Sequence, residues 1–328
     1  MDHSQSGGHS DSRDDEWDSR VERAATADVR HLLRTARRRR RERWVVGGIM
    51  TVAMALVLVL LIQIGVLDGL LPKSRPSTPA ASGTGAPPGP ATLALDPSHP
   101  FADSPAAGWP DGAAGIVPPP ATPVGGFTAD QVADAMRQVR EVLTASRLDR
   151  RMLVDHDPSA YLGALAADAR RQLEPLFDSG HEAEVQSLVS LAAQGTQLLP
   201  VQPKVTGTMS AHPGDLPGEL VVHTNYVFVY AFNPDAVDKI VDLMDILVVV
   251  RADVDYVLRT GNRWTPGSQG WWYGAASGYA YSIACDAYHK GYLAPAFTER
   301  GAGEASAQER AGYFDPNSPL PPASGCPK

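Results

Sequence analysis

Glu219-Leu-Val-Val-His-Thr-Asn-Tyr-Val-Phe-Val-Tyr230 alternates with a period of two. Val222, Thr224, Tyr226, Phe228 and Tyr230 fall on one side, and Val221, His223, Asn225, Val227 and Val229 on the other. That is the pattern of a β-strand. Lys204 to Ala211 reads as the strand before it, and His212 to Gly218 as a loop that allows a hairpin. Asn233-Pro234-Asp235 breaks the chain, and 236–244 reads as a short helix. Ile246 to Leu258 is β-rich, with Arg251, Asp253 and Asp255 alternating against Ala252, Val254 and Tyr256. After turns at Thr260-Gly261-Asn262 and Pro266-Gly267, Trp271 to Ala284 forms the last strand region, with Tyr279, Tyr281 and Ile283 facing one way.

Upstream the period becomes helical. Thr128-Ala129-Asp130-Gln131 fits a capping box, and Val132, Met136, Val139 and Leu143 follow at three- and four-residue spacing. Asp157-Pro158 starts a second helix, with Tyr161, Leu162 and Leu165 on one face. A third is expected from Glu182 to Gln194, ended by Gly195. Helices first and an antiparallel sheet after is an α+β layout.

Asp155-His-Asp-Pro-Ser-Ala-Tyr-Leu-Gly-Ala-Leu165, followed by Ala166-Ala-Asp-Ala-Arg170, resembles the second-helix segment of NTF2-like domains. The resemblance covers 127–290. It implies a cone: N-terminal helices packed on a curved antiparallel sheet. The family includes enzymes, small-molecule binders and catalytically empty scaffolds, so fold leaves function open. The chain departs from the pattern by a third helix before the sheet and a long C-terminal tail. No catalytic residue carries over.

Trp44 to Leu67 (WVVGGIMTVAMALVLVLLIQIGVL) carries no charge. As a helix it would be roughly 36 Å long, enough to cross a ~30 Å hydrocarbon layer. Arg37, Arg38, Arg39, Arg40, Arg41 and Arg43 precede it, and only Lys73 and Arg75 lie close behind. The positive-inside rule then puts 1–43 in the cytoplasm and the rest outside. The expected protein is single-pass, with the fold preceded by one transmembrane helix. The tail 1–43 is polar and basic, with 11 Arg against 9 Asp+Glu, or +2 of the chain's net −8; the remainder is therefore −10. Residues 68–126 read as a Pro/Ala/Gly-rich linker, since 14 of the 28 prolines lie in 72–126. Arg predominance over Lys, abundant Ala and the layout of tail, span and cone resemble actinobacterial single-pass membrane proteins. The acidic balance argues against a nucleic-acid partner.

Cys285 and Cys326 are the two cysteines. Outside the cytoplasm they can pair, pinning the 291–328 tail. The competing reading is a redox or nucleophilic cysteine. No nucleophile elbow, phosphate loop or HExxH occurs, no metal-ligand spacing is present, and no cofactor is implied. Tyr226, Tyr230, Tyr256, His223, Tyr279 and Tyr281 are the ligand-pocket candidates. His156, His223, Asp253 and Asp255 are the candidates for acid/base work. Trp271 and Trp272 are adjacent on a strand and so point oppositely, which makes them partner-surface candidates. The expected function is a non-enzymatic envelope accessory or scaffold that binds an envelope protein or cell-wall component. The alternatives are a small-molecule-binding or enzymatic cone, and a transmembrane signalling subunit. Length and composition set no oligomeric state.

Overall fold

The computed structural model describes residues 96–178, 180–234, 240, 242–299, 311–320 and 326. The chain divides into Met1–Thr92, outside those residues, and Leu93–Lys328. In the second unit a long helix, α1 (Ala129–Arg147), is followed by four short ones: α2 (Arg150–Leu153), α3 (Ser159–Gly163), α4 (Ala167–Leu173) and α5 (Glu182–Val185). Four strands follow: β1 (Lys204–Pro213), β2 (Glu219–Ala231), β3 (Leu247–Arg259) and β4 (Gly270–Tyr281). They form one antiparallel sheet in sequential order. A short α6 (Cys285–His289) comes last.

The predicted capping box starts α1. The Gln131 amide donates to the Thr128 hydroxyl (3.3 Å), and the Thr128 amide to the Gln131 side chain (2.8 Å). Val132, Met136, Val139 and Leu143 are all buried. Each contributes about 1.5–3 kcal/mol relative to exposure. They pack on the inner sheet face with Val222, Tyr226, Phe228, Tyr230, Val254 and Tyr256. A second core lies on one half of the outer face. There Val227, Val229, Leu247, Val249 and Tyr281 are covered by Phe101, Ala106 and Phe314. Burial on both sides explains why the end of β2, from Tyr226 on, and the start of β3 are continuously apolar.

The expected fold class is corrected. The described residues have α+β content and a four-stranded antiparallel sheet, but no helix among them is long and apolar enough to cross a membrane. The expected transmembrane helix at 44–67, the cytoplasmic tail 1–43 and the arginine cluster 37–43 lie outside the described residues. The third helix expected before the sheet is a single turn. The helix expected from Glu182 to Gln194 stops at Val185. Its continuation turns carbonyls toward the Arg147 guanidinium, and Leu191 and Ala193 exchange backbone bonds with Leu293 (2.7 and 2.8 Å). Of the helix expected over 236–244, residues 236–239 and 241 lie outside the described set, and Leu243–Ile246 is a 3-10 turn.

The linker boundary also moves. Residues 96–126 belong to the folded unit, because Phe101, Ala106 and Ile116 are buried and Asp111 bridges to Lys204. Gly115 sits so close to β1 that a Cβ there would lie 2.3 Å from the Val205 carbonyl oxygen. The expected disulfide is present, linking Cys285 and Cys326 with their Cα atoms 5.2 Å apart.

Candidate functional site

The half of the outer sheet face left uncovered by the second core is polar. Ser210, His223 and Asp255 stand opposite one another across β1, β2 and β3, and Thr208, Asn225, Asp253 and Ser277 form the next row across all four strands. His223 Nδ1 lies 2.8 Å from Asp255 Oδ1 and 4.0 Å from Asp253 Oδ1. The shared parity of 253 and 255, and of 223 with both through the register, puts the three on one face. Beside Asp255 the β3–β4 register shifts, with an extra residue on β4. Gly274 flanks it, and a Cβ there would come 3.1 Å from the Asp255 Cβ. All three side chains are roughly one-third exposed. This arrangement can bind a polar or cationic group at a partly exposed surface. Among the described residues no group of His, Cys, Asp and Glu could hold a metal ion.

At one end of the face Arg259 is sandwiched between Trp272 (4.2 Å to the ring centre) and Trp264 (4.5 Å). Its Nε donates to Glu219 at 3.1 Å. The Trp272 indole donates to the Ser268 carbonyl (2.8 Å) and stays partly exposed. Trp271 turns the other way and is buried, donating to the Gln138 side chain of α1 at 2.7 Å. Of the two partner-surface candidates, only Trp272 is at the surface.

The six pocket candidates divide between the faces, so they do not line one pocket. Tyr226, Tyr230 and Tyr256 are fully buried in the inner core. Burial pushes each phenol up to about 12. His223, Tyr279 and Tyr281 belong to the outer face. Tyr281 lies 4.5 Å from Tyr279 and stacks on Tyr313 at 4.0 Å. A cleft of about 300 Å³ lies elsewhere, lined by Gly195, Thr196, Gln197, Asn233, Pro295, Phe297 and Thr298. His156 serves structure: its Nε2 is 2.8 Å from the Ala192 carbonyl oxygen, and its ring stacks on Tyr292.

Sequence reasoning missed the two buried arginines. Arg147, 1 % exposed, donates to the carbonyls of Ser187 (2.5 Å), Val189 (2.6 Å) and Gln186 (3.3 Å) and to the Ser190 hydroxyl (3.0 Å). Burial lowers its pKa, while the phenols of Tyr230, Tyr256 and Tyr161 act in the opposite sense. Tyr230 donates to the Arg147 carbonyl and the Ser190 hydroxyl, both at 3.0 Å. A signal was available, since Arg147 is the next step of the stripe Val132, Met136, Val139, Leu143. Arg251, 2 % exposed, donates to the carbonyls of Pro316 and Ser318, each at 2.7 Å. Its signal is a charge inside the otherwise apolar run Leu247 to Ala252.

Compared with known proteins, the chain matches no family model, no curated protein and no solved structure. The resemblance to NTF2-like domains finds neither support nor contradiction there.

Proposed function

We propose that the chain is a non-enzymatic cell-envelope accessory or scaffold whose domain binds a protein or cell-wall partner outside the cytoplasm. The observation that carries this is the filling of the inner face. Tyr161, Tyr226, Tyr230 and Tyr256 are fully buried against α1 and the sheet, where a ligand-binding cone needs open space. The partly exposed His223–Asp255 pair on the outer face is flanked by the Trp272–Arg259–Trp264 stack, and aromatic and arginine side chains are the usual anchors of protein interfaces. The disulfide accords with an oxidising compartment. The uncharged stretch 44–67 and the arginines before it support attachment to the cell membrane with 1–43 inside.

The test is site-specific photo-crosslinking in the native host, with the probe at Trp272 and a control at exposed Arg263. A discrete adduct at Trp272 alone, abolished by Arg259→Glu, is expected. Equal labelling at both positions would discard the outer face as the binding surface. The His223–Asp255 pair favours a second reading, acid/base chemistry on the same face. It predicts that His223→Ala abolishes function in cells while leaving the Trp272 adduct intact.

A further inference from the structure

The C-terminal segment Ala311–Leu320 lies across the outer sheet face and is held there in an unusual way. Only Phe314 of it is buried. Its ring meets Trp109 edge-on at 5.9 Å, while Tyr313 stacks on Tyr281. Beyond these rings the sheet grips the main chain. Arg251 donates to the carbonyls of Pro316 and Ser318, and the Asn225 amide donates to the Pro316 carbonyl at 2.8 Å. The segment keeps its own shape. Asp315 accepts from the Asn317 amide (2.8 Å) and the Ser318 hydroxyl (3.0 Å), and the Ser318 amide bonds back to the Asp315 carbonyl (3.2 Å). Those bonds, with the Arg251 charge adding, lower the Asp315 pKa. No β-bridge joins the segment to the sheet among the described residues.

This is the pattern of a bound peptide: one aromatic anchor, a self-closed turn and main-chain carbonyls read by a buried arginine. We propose that the groove over Arg251, Asn225, Tyr281 and Trp109 is a peptide-docking site. Its ligand class is a protein segment bearing an aromatic residue followed by an Asp-Pro turn. The chain's own 311–320 segment fills it in cis and competes with such a partner. The Cys285–Cys326 bond tethers that segment, so it competes at an effective concentration on the order of millimolar. The inference rests on the binding-module reading and names its partner class.

The experiment uses a fluorescein-labelled peptide of residues 311–320 (AGYFDPNSPL) and detergent-solubilised chain, read by fluorescence anisotropy. One protein is the intact chain. The other ends at Arg310 and carries Cys285→Ser, with folding checked by near-UV circular dichroism. Saturable binding to the shortened chain, at least tenfold weaker binding to the intact one, and a tenfold loss with a Phe314→Ala peptide are expected. Asn225→Ala in the shortened chain should weaken binding about threefold or more. Three outcomes overturn the proposal: a folded shortened chain that ignores the peptide, equal binding by both proteins, or a shortened chain that cannot fold, which would make the packing of Phe314 in the second core the segment's whole role. The Trp272 crosslink in the full chain is independent of all three, so the broader reading can survive this one's failure.

Discussion

Replacing Arg147 by methionine should destabilise the domain by about 3–5 kcal/mol. Methionine nearly fills the space, so the change removes hydrogen bonds and charge with little cavity. Three carbonyls and one hydroxyl of 186–190 lose their donor, and two of those contacts are as short as 2.5 and 2.6 Å. Hydrogen bonds to a charged group are worth about 1.5–3 kcal/mol each, net of water, and do not add fully when they share one donor. Against this stands the cost of burying an arginine with no carboxylate partner among the described residues, which the substitution relieves. The bonds win because the carbonyls belong to a segment whose Leu188 and Val189 are themselves buried and cannot turn to water. At about 2–4 °C per kcal/mol for a domain of this size, the melting temperature should fall by about 10 °C. Differential scanning fluorimetry of the solubilised chain reads this directly. A variant within about 1 kcal/mol of the parent would refute the idea that Arg147 organises the 186–190 segment.

The remaining expectations use the same preparation. Tyr230→Phe, which strips the hydroxyl from Arg147 and Ser190, should cost about 1–1.5 kcal/mol in urea denaturation, and no loss would mean those contacts are dispensable. The buried phenols of Tyr230 and Tyr256, raised to about 12 from an unfolded value near 10, hold protons that the unfolded chain releases. Stability should therefore be undiminished by them below about pH 10 and fall as pH rises toward 12, with part of the tyrosinate absorbance at 295 nm appearing only on unfolding; smooth titration of every tyrosine in a folded chain would contradict it. Removing the disulfide by Cys285→Ser with Cys326→Ser should cost up to ~4 kcal/mol from chain entropy for a separation of 41 residues, with faster amide exchange in 311–320 first. Gly115→Ala should cost on the order of 1–3 kcal/mol by forcing 112–115 off β1, and a neutral result would return that segment to the linker.

The sheet was largely legible. Period-two alternation located all four strands to within a few residues, because each must present one face to α1. Parity put Asp253 and Asp255 on one side of β3, and only the register brought His223 of β2 to them. The pocket was misread for a related reason. Tyr226 and Tyr279 sit on strands whose faces alternation fixes singly, and nothing in the sequence relates one strand's faces to another's. Composition misled over 96–126, where proline and glycine suggested a spacer while Phe101, Ala106 and Ile116 supplied scattered anchors without a period. The helix beyond Val185 failed because a distant guanidinium claims its carbonyls, a long-range competitor that no local window contains.

The second core has a consequence for biosynthesis. Its walls, Val227, Val229, Leu247 and Val249, are capped from two directions, by Phe101 and Ala106 early in the chain and by Phe314 late. At the usual pace of translation, roughly two to seven seconds separate the completion of β4 at Tyr281 from the emergence of residue 314. Through that interval half of the sheet's outer face has one of its two covers missing. A nascent chain in that state offers a greasy, strand-rich surface to whatever holdase or neighbouring polypeptide meets it first, and maturation of this domain ends at its edge of latest arrival.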